Sequence, residues 1–495
     1  MRLYELFERA GLTIPHGIEN INITNIVTDS RKVRKGDMFI CLCGSNSDGH
    51  EYIDSAINAG ASVIVAEQVR DACVGGAAAY IMLDNTRQVT ALLYNARYGN
   101  PSEKLKIIGV TGTNGKTSVS TLLYEIFSAA GYRCGLIGTV CRLSADGRSL
   151  SRKKGISSVN MTTPDPEELY ADLYEMVRDG VEYVFMEVSS HALALCKTDA
   201  ISFDSAIFTN LTQDHLDFHG SMEEYYRAKK KLFSASQRGY INIDGAFGKR
   251  LVEECPCRAL TVSSEEGDFC AYDIKLRGLG GSEYMLKHPR GRDRVFLPLI
   301  GEFQVENSLM AASVALDHGI PFEIISDTLA NTKGVPGRME RVELGLGDIS
   351  VIIDYAHTPD ALEKLLLSVR RIRPENAKIT LVFGCGGERD RDKRKQMAAI
   401  ASRLADLVIV TSDNSRGEDP RQIFSDILKG IDKERPYALI EDRKRAIESA
   451  VISASSGEII VLAGKGHEKY EIDGEGVHPF DERKIVRSAF KKRTD

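Results

Sequence analysis

The stretch Leu105–Gly131, LKIIGVTGTNGKTSVSTLLYEIFSAAG, decides the fold of this chain. It opens with an apolar run typical of a buried strand, passes through a glycine-rich turn, and then takes the periodicity of a helix that Gly131 closes. A second apolar run, CGLIGTV at residues 134–140, follows closely. Strand, helix and strand in this order predict a βαβ unit, and therefore an α/β fold with a parallel sheet.

The turn inside this stretch, Thr111–Thr117, reads TGTNGKT. Glycines let the backbone wrap around a phosphate, and the N-terminus of the following helix adds partial positive charge. We expect Lys116 to reach the β- and γ-phosphates of ATP and the Thr117 hydroxyl to bind Mg²⁺. The strict Walker pattern has a glycine where this chain has Val110, so the match is a variant, and a merely tight turn is the alternative. The predicted ATP-binding residues of the loop are Gly112, Thr113, Asn114, Gly115, Lys116, Thr117 and Ser118.

Three segments of different character follow one another along the chain. Residues 1–101 hold short apolar runs and a helical stretch ending in Gly60, which predicts a small α/β domain. Residues 102–335 hold the βαβ unit and two more predicted strands, EYVFMEV and FDSAIFTN. Residues 336–495 contain the strands ISVIIDYA, KITLVFGCG, DLVIVTSD and EIIVLAGKG, which predict a second parallel sheet covered by helices. Sites in such sheets lie outside the carboxyl ends of the strands.

Composition and charge exclude several classes of protein. The formal net charge is −6 with mixed signs along the chain, so a nucleic-acid partner is not expected. The N-terminal residues do not show the pattern of a signal peptide and no apolar run reaches about 18 residues, so we expect a cytoplasmic protein without a membrane partner. The cysteines are scattered without zinc spacing, which favours free thiols in a reducing compartment. We also expect a monomer.

One lysine lies on an apolar helix face in LTQDHLDFHGSMEEYYRAKKKLF, residues 211–233. Helical spacing places Lys229 in a stripe with apolar partners, namely Met222, Tyr225, Tyr226, Leu232 and Phe233. Lys230 and Lys231 lie off the stripe and are expected in solvent. A buried ammonium is unfavourable unless it is paired or chemically changed. The alternative for Lys229 is that its side chain snorkels to the surface.

Two further polar residues follow predicted strands. Glu187 ends EYVFMEV, and His215 comes just after FDSAIFTN. A carboxylate and an imidazole at neighbouring strand ends could hold a divalent cation near the phosphate loop. For His215 alone, a structural role is the alternative.

In these residues and in the motifs given below, the chain resembles the Mur ligases, and among them the MurE type that adds the third residue of the peptidoglycan stem peptide. The resemblance covers nearly the whole length and is specific because many motifs occur in the right order. They are TDSR (28–31), GD-x-F (36–39), DGH (48–50), TGTNGKT (111–117), TTP (162–164), EVSSHAL (187–193), DHLDFHG (214–220), AK-x-x-LF (228–233), GEFQVEN (301–307), VPGRME (335–340), DYAHTPD (354–360), FGCGGERD (383–390) and AGKGHE (463–468).

The resemblance implies three domains: a uridine-nucleotide domain, a central ATPase domain and a C-terminal Rossmann-like domain. It also implies that Lys229 is carbamylated by CO₂, which turns it into an N6-carboxylysine that binds metal. Mg²⁺ would then lie among Thr117, Glu187, His215 and the modified lysine. By the same match, the further residues around ATP would be Asn307, Arg338, Asp354 and His357.

The UDP-sugar dipeptide is the second ligand that the resemblance implies. The matching positions are Thr28, Ser30, Ser45, Asn46, Ser47, Thr162, Thr163, Ser189 and Lys197. Family members often have Gln and Arg where this chain has Leu195 and Lys197. Lys197 keeps the charge but not the forked geometry of a guanidinium.

The added amino acid is indicated by Asp413-Asn414-Ser415-Arg416, which matches the D-N-P-R of diaminopimelate-adding family members except at Ser415. The guanidinium of Arg416 can donate two charge-assisted hydrogen bonds to the distal carboxylate of meso-diaminopimelate, whereas it would repel the ammonium of lysine. Arg389, Gly464 and Glu468 match the rest of that pocket, and Glu468 would take the distal ammonium. Without the family context, a solvated loop charge would be the favoured interpretation of Arg416.

The implied reaction joins meso-diaminopimelate to the D-glutamyl γ-carboxylate of UDP-N-acetylmuramoyl-L-alanyl-D-glutamate, using ATP and an acyl phosphate. The nearer alternatives are a lysine-adding member or a folate-polyglutamylating ligase of the same superfamily. The TDSR and DGH segments favour the UDP-sugar over folate. The more distant alternative is a non-catalytic P-loop binding protein, which would not need Lys229 on an apolar stripe.

Overall fold

The computed structural model describes residues 1–44, 47–68, 78–150, 161–345 and 348–494. They form two compact units, one comprising Met1–Ser263 with Ser313–Ile320 and the other Ser264–Ala312 with Pro321–Asp495. Among the described residues, no helix is both long and apolar enough to cross a membrane.

The first unit begins with a four-stranded parallel sheet in the order β1-β2-β3-β4. Its elements are α1 (Leu3–Arg9), β1 (Ile26–Val27), β2 (Met38–Ile40), α2 (Ile53–Asn58), β3 (Val63–Ala66), β4 (Ala79–Met82) and α3 (Thr86–Arg97). Helix α2 ends as expected at Gly60, whose φ of +102° is unfavourable for other residues. The prediction of a small α/β fold at the N-terminus is confirmed.

Within this unit, the strands of the second sheet follow the order β11-β10-β9-β5-β8-β6-β7. All its pairs are parallel except β6 with β7. Its strands are β5 (Lys106–Thr111), β6 (Cys134–Ile137), β7 (Arg142–Leu143), β8 (Tyr183–Glu187), β9 (Phe203–Phe208), β10 (Ser236–Asn242) and β11 (Arg258–Ser263). Its helices are α4 (Lys116–Ala129), α5 (Pro166–Arg178), α6 (Ser190–Ala194), α7 (Leu216–His219), α8 (Met222–Ser234) and α9 (Ala246–Glu254).

Strand β5 lies between β8 and β9, and this order positions the site. Val110 of β5 is in register with Glu187, and Thr111 is in register with Phe208. The carboxyl ends of the three strands therefore meet at one edge of the sheet. The phosphate loop, Glu187 and the segment that leads to His215 all leave the sheet at this edge, as the position of sites in parallel sheets predicts.

The second unit contains an antiparallel meander and a six-stranded sheet of order β15-β16-β20-β17-β18-β19. Its strands are β12 (Phe269–Leu276), β13 (Ser282–His288), β14 (Gly291–Leu297), β15 (Glu340–Arg341), β16 (Ser350–Asp354), β17 (Ile379–Phe383), β18 (Leu407–Val410), β19 (Tyr437–Leu439), β20 (Ile459–Ala463), β21 (Tyr470–Asp473) and β22 (Gly476–Pro479). Its helices are α10 (Glu302–Asp317, which begins in this unit), α11 (Phe322–Asn331), α12 (Pro359–Ile372), α13 (Asp392–Leu404), α14 (Pro420–Leu428), α15 (Arg443–Ser453) and α16 (Glu482–Thr494).

The four strands predicted for the C-terminal sheet are all present, as β16, β17, β18 and β20. The sheet also has one strand at each edge that was not predicted: β15, which pairs antiparallel with β16, and β19, which pairs parallel with β18. Strand β15 has only two residues, too few to show a pattern in the sequence. The meander β12–β14 and the hairpin β21–β22 were not predicted either.

Candidate active site

The phosphate loop forms the turn that the sequence predicts between β5 and α4. Gly112 has a φ of +151°, and a Cβ placed there would lie 1.9 Å from the Thr209 hydroxyl. Gly115 has a φ of +87° and caps the first turn of α4. Both glycines are therefore required by the backbone of this turn.

The phosphate loop is also held by hydrogen bonds from the residues that follow strand β9. The sequence analysis did not identify these residues. Asn210 accepts from the backbone N–H of Asn114 at 2.9 Å, and the Thr209 hydroxyl donates to the Asn114 carbonyl at 2.5 Å. The Thr113 hydroxyl donates to the carbonyl of Thr212 at 3.1 Å. The only signal in the sequence was a polar run, TNLTQ, directly after an apolar strand.

Lys229 points inward, so the snorkelling alternative is wrong. Its side chain is 1% exposed and donates to the carbonyl oxygen of Gly112 at 2.8 Å. Lys116 donates to the same oxygen at 3.0 Å. No carboxylate of the described residues pairs with Lys229, although its ammonium lies 4.6 Å from the centre of the Tyr225 ring. Burial, and then the charge of Lys116, lowers the pKa of Lys229 well below its ordinary value.

The other residues of helix α8 follow the predicted stripe. Tyr225, Tyr226, Leu232 and Phe233 are buried beside Lys229, and Met222 is half-buried. Lys231 is exposed as expected. Lys230 is half-buried and forms an ion pair of 2.8 Å with Glu254, which the sequence did not indicate.

Glu187 lies at the carboxyl end of β8 and is 1% exposed. The Thr117 hydroxyl donates to its Oε2 at 3.0 Å, so the predicted metal-binding hydroxyl and carboxylate are in direct contact. Thr139, which the sequence analysis missed, donates to the same carboxylate through its backbone N–H at 2.8 Å and its hydroxyl at 3.0 Å. The signal that could have found Thr139 is its position directly after the second strand of the βαβ unit.

His215 has a left-handed φ of +53°, an unusual conformation for a histidine, and its side chain is about half-exposed. Its ring packs 4.8 Å from that of His191 and 6.2 Å from that of Tyr225. Burial lowers the pKa of His215, and the nearby charges of Lys116 and Lys229 add to this against the opposing effect of Asp214. The imidazole is thus held neutral, the form that can bind a metal.

These side chains suit a magnesium ion in their chemistry. Thr117 and Glu187 offer hard oxygen donors in contact, which is the ligand type that Mg²⁺ prefers. As an amine, Lys229 offers no such oxygen, but a carbamate on its nitrogen would.

The candidate residues for the UDP-sugar dipeptide fall into two groups. Thr162, Thr163 and Ser189 lie around Glu187: the Thr163 hydroxyl donates to the Glu187 carbonyl at 2.9 Å and accepts from the Ser189 N–H at 3.0 Å. The hydroxyl oxygens of Thr139 and Thr162 lie 3.1 Å apart, within hydrogen-bonding distance.

The second group lies in the N-terminal sheet and its loops. Thr28 and Ser30 follow β1, and Ser47 precedes the DGH motif, whereas Ser45 and Asn46 lie outside the described residues. Among the described residues, no hydrogen bond joins this group to the one around Glu187. Lys197 forms an ion pair of 2.7 Å with Asp165, so its charge already has a partner.

The DGH motif closes a hydrogen-bonded cluster. Among the described residues, Cys43, Asp48 and His50 bring potential metal-ligand atoms within 4.8 Å of one another. His50 Nε2 accepts from the Glu67 backbone N–H at 3.1 Å, so Nδ1 carries the proton and donates it to Asp48 at 2.6 Å. A protonated nitrogen cannot bind a metal, and the cluster is therefore a support for the loop that leads to His50.

The remaining candidate ATP residues belong to the second unit. Asp354 accepts from the backbone N–H groups of Met339 at 2.7 Å and Ala356 at 2.8 Å, and burial raises its pKa. The Arg338 guanidinium lies 4.8 Å over the Tyr355 ring, and the His357 ring packs 4.6 Å from the same ring. Arg338 and His357 therefore both pack against Tyr355. Asn307 is buried on α10, and no hydrogen bond among the described residues joins it to them.

The candidate diaminopimelate residues lie at the carboxyl ends of β17, β18 and β20. Asn414 Nδ2 donates to Glu468 Oε2 at 2.8 Å, and Arg416 Nη1 donates to the Gly387 carbonyl at 2.8 Å. Arg416 has a left-handed φ of +53°. Burial raises the pKa of Glu468. Arg416 was predicted to bind the distal carboxylate of diaminopimelate and Glu468 its distal ammonium. The structure places both residues in one cluster at the carboxyl ends of the strands.

The rest of this cluster is also in place. Burial would raise the pKa of Asp413, but the charges of Lys465 and Arg443 outweigh it and lower the pKa. Gly464 has a φ of +115°, and a Cβ there would lie 2.7 Å from the Asp413 carboxylate. Ser415 is buried. Arg389 is exposed, and no hydrogen bond to a described residue holds its guanidinium.

An ion pair that sequence reasoning missed joins the two loops of this cluster. The buried Arg394 donates to Glu418 at 2.7 Å and to the Gly386 carbonyl at 3.3 Å. Glu418 also accepts from the backbone N–H of Glu388 at 2.9 Å. The loops that carry Arg389 and Arg416 are therefore held to each other by one buried guanidinium.

Comparison with known proteins matches three family profiles along the chain. They are described as the Mur ligase family, catalytic domain, over residues 22–98, the Mur ligase middle domain over 110–315, and the Mur ligase, glutamate ligase domain, over 337–466.

Two similar proteins carry the name UDP-N-acetylmuramoyl-L-alanyl-D-glutamate–2,6-diaminopimelate ligase. The one from Clostridioides difficile is 42% identical over 99% of this chain and 100% of that protein. The one from Synechococcus elongatus is 41% identical over 97% of this chain and 96% of that protein.

Solved structures agree with these sequence matches. A structure of a ligase with the same name has a TM-score of 0.70 at 31% identity and covers all of both chains. The MurF ligase of Thermotoga maritima in complex with ADP has a TM-score of 0.61 at 18% identity, covering 96% of this chain and 98% of that one, and shows a common fold. With sequence matches above 40% identity over its full length, this chain belongs to the Mur ligase family.

Proposed function

We propose that this enzyme joins meso-diaminopimelate to the D-glutamyl γ-carboxylate of UDP-N-acetylmuramoyl-L-alanyl-D-glutamate, with ATP as the energy source. The Mur ligase family consists of ATP-dependent ligases that form peptide bonds, and relatives of about 40% identity carry the name of this reaction. The product would be a precursor of peptidoglycan.

The structural observation that carries the proposal is the inward Lys229 at the phosphate loop. A binding protein that only held a nucleotide would gain nothing from a second amine on the Gly112 carbonyl, next to Lys116. Its lowered pKa favours the neutral amine, which is the nucleophilic form. The amine nitrogen would attack CO₂, forming an N–C bond and releasing one proton, and the product is an N6-carboxylysine carboxylate.

We further propose that Thr117, Glu187, His215 and carbamylated Lys229 hold Mg²⁺ at the phosphate loop. Bound there, the ion would neutralise charge on the phosphates of ATP. Thr139 would keep the Glu187 carboxylate oriented, since it donates two hydrogen bonds to it. The loop amides and Lys116 would hold the γ-phosphate in line with the attacking carboxylate.

The proposed reaction then has two steps. The γ-carboxylate oxygen of the D-glutamyl residue attacks the γ-phosphorus, the bond to the ADP oxygen breaks, and an acyl phosphate forms. The amine of diaminopimelate next attacks the acyl carbon and loses a proton, and inorganic phosphate leaves. An amide bond remains, and water must be excluded between the steps because an acyl phosphate hydrolyses readily.

The proposed amino-acid pocket contains one charge of each sign, complementary to the distal carboxylate and the distal ammonium of diaminopimelate. Arg416 would bind the distal carboxylate, and Glu468 the distal ammonium, with Arg389, Asp413, Asn414, Ser415 and Gly464 forming the rest of the pocket. Asn414 already donates to Glu468, which orients the carboxylate. A lysine substrate would leave Arg416 without an anionic partner, and this favours diaminopimelate over the lysine-adding alternative.

For the other ligands we propose the residues that the sequence indicated. The UDP-sugar dipeptide would contact Thr28, Ser30, Ser45, Asn46, Ser47, Thr162, Thr163, Ser189 and Lys197. ATP would also contact Asn307, Arg338, Asp354 and His357. The domains would be residues 1–101, 102–335 and 336–495, and each matched family profile falls inside one of these ranges. We propose a monomer that acts in the cytoplasm, where ATP and nucleotide sugars are made.

The test is phosphate release from ATP in the presence and absence of each co-substrate, with product mass measured for a panel of amino acids. We expect release only when the UDP-sugar dipeptide and diaminopimelate are both present, together with a product heavier by one diaminopimelate minus water. Phosphate release without either co-substrate, and no new product, would favour an ATPase and contradict the proposal. Ligation of glutamate to a folate would favour the folate alternative.

A further inference from the structure

Lys465 is a fully buried cation, 0% exposed, to which neither the family resemblance nor the proposed mechanism assigns a role. Its ammonium donates to Asn414 Oδ1 at 2.9 Å and to the Tyr470 carbonyl at 3.2 Å, and lies 3.5 Å from Asp413 Oδ1. The ring of Phe480 lies 5.5 Å away on another side. A lysine that served only as the counter-ion of Asp413 would make its shortest contact with that carboxylate. Here the shortest contact is with an amide oxygen.

The contacts of Asn414 determine which way its amide points. Its Oδ1 accepts from Lys465 and from the backbone N–H of Ile472 at 3.0 Å, while its Nδ2 donates to Glu468 at 2.8 Å. A flipped amide would direct Nδ2 at two donors and Oδ1 at a carboxylate, so all three contacts would become repulsive. The ammonium of Lys465 is the only charged donor among them.

Hydrogen bonds also link the loop of residues 413–416 to strand β21. Ile472 donates its N–H to Asn414, and its carbonyl accepts from the backbone N–H of Arg416 at 3.2 Å. Tyr470 of the same strand accepts from Lys465. Lys465 therefore contacts both the side chain that meets Glu468 and the strand that holds the backbone of Arg416.

We propose that Lys465 is a positioning residue for amino-acid selection: it fixes the amide of Asn414, and through it the carboxylate of Glu468, to receive the distal centre of diaminopimelate. This inference rests on the proposed function of the same pocket. The proposal predicts that Lys465 affects the binding of diaminopimelate and the selection of diaminopimelate over lysine, although Lys465 itself contacts neither amino acid.

The first variant is Lys465→Met, which keeps the length and apolar stem but removes the donor. The matched control is Lys469→Met, because Lys469 lies in the same segment with an exposed side chain. Removal of a buried cation leaves Asp413 with less compensation and can lower stability. The double variant Asp413→Asn/Lys465→Met avoids this, with Asp413→Asn alone as its reference.

The measurements are KM for diaminopimelate, KM for ATP, KM for the UDP-sugar dipeptide, and the product ratio in a mixture of diaminopimelate and lysine. We expect Lys465→Met to raise KM for diaminopimelate by at least about tenfold, and to lower the product ratio, with the two other KM values changed by less than about twofold. The double variant should show the same change relative to Asp413→Asn. Lys469→Met should match the wild type.

An unchanged KM for diaminopimelate in a folded Lys465 variant would overturn the inference, as would equal losses for all three substrates. If Asp413→Asn folds and neither Lys465 variant does, the lysine has a structural role and the positioning role is wrong. Wild-type enzyme that forms no diaminopimelate product would refute the proposed function itself. Wild-type activity combined with an insensitive Lys465→Met refutes only the role of Lys465.

Discussion

Lys116 and Lys229 donate hydrogen bonds to one acceptor, the carbonyl oxygen of Gly112, at 3.0 and 2.8 Å. Two ammonium groups on one buried oxygen repel each other, and only Lys229 is fully enclosed. Burial and the charge of Lys116 together lower the pKa of Lys229, so that its amine is the one to lose the proton. A neutral amine at the phosphate loop is well suited to react with CO₂, and this is the basis of the carbamate proposal.

We expect Lys229→Ala to lose ligase activity and to regain part of it when short carboxylic acids are added. The cavity left by the side chain would admit a small carboxylate in place of the carbamate. The measurement is phosphate release with all three substrates, over increasing concentrations of acetate or formate. Lys231→Ala, which changes an exposed lysine of the same helix, should keep full activity and show no response to acid. Wild-type activity of Lys229→Ala would show that no carboxylate is needed there.

The lowered pKa of Lys229 also predicts how stability depends on pH. Because the folded pKa lies below the unfolded one, the unfolded chain binds a proton on this lysine more tightly than the folded protein does, and this opposes folding. The penalty decreases as pH rises toward the unfolded value of about 10.4, because the unfolded lysine then loses its proton as well.

Lys229→Met should therefore be more stable than the wild type in CO₂-free buffer, and the gain should shrink between about pH 7 and about pH 9.5. Urea unfolding of the two proteins at both pH values measures this difference in the free energy of unfolding. Lys231→Met, which changes an exposed lysine of the same helix, serves as the reference. A gain that stays constant over this range would mean that Lys229 remains charged in the folded protein.

Lys116→Ala should lower phosphate release by a factor on the order of 10²–10³, as loss of one preorganised charge donor typically does. Folding should survive, because Lys116 is only partly buried at the start of α4. Steady-state kinetics and a thermal unfolding scan provide the two readings. Near-normal turnover in a folded Lys116→Ala protein would remove the assignment of this loop as the ATP site.

The candidate catalytic residues could be predicted from the sequence more readily than the residues that hold them in place. Lys229 could be recognised because helical spacing placed one cation on an apolar face, and its burial confirms that interpretation. Glu187 could be placed because it ends an apolar strand. In both cases a period or a strand end revealed the position of the side chain.

The supporting residues show no such pattern. Thr139 and Thr209 are ordinary hydroxyl residues in loops, and only the strand order β9-β5-β8 places them against Glu187 and the phosphate loop. Arg394 sits on helix α13, distant in sequence from its partner Glu418. Contacts of this kind depend on tertiary packing, which periodicity within one segment cannot report. The antiparallel edge strand β15 escaped prediction for a different reason, its length of two residues.

Arg416→Ala should lose mainly the activity with diaminopimelate, because its guanidinium would otherwise pair with the distal carboxylate. KM for ATP should remain within about twofold, since the nucleotide contacts are left intact. Kinetics with each substrate varied in turn test this. Arg421→Ala, an exposed arginine at the start of α14, is the matched control and should behave like the wild type. A larger effect on ATP than on diaminopimelate would separate Arg416 from amino-acid binding.

The most direct test of the whole account is competition between meso-diaminopimelate and L-lysine in one reaction with ATP and UDP-N-acetylmuramoyl-L-alanyl-D-glutamate, scored by product mass. We expect a preference for diaminopimelate of at least about a hundredfold in kcat/KM, since an unpaired Arg416 guanidinium costs about 2.7 kcal/mol or more when lysine binds. Ser415 in place of a stiffer proline could reduce this ratio without reversing it. Equal incorporation of the two amino acids, or a preference for lysine, would contradict the account.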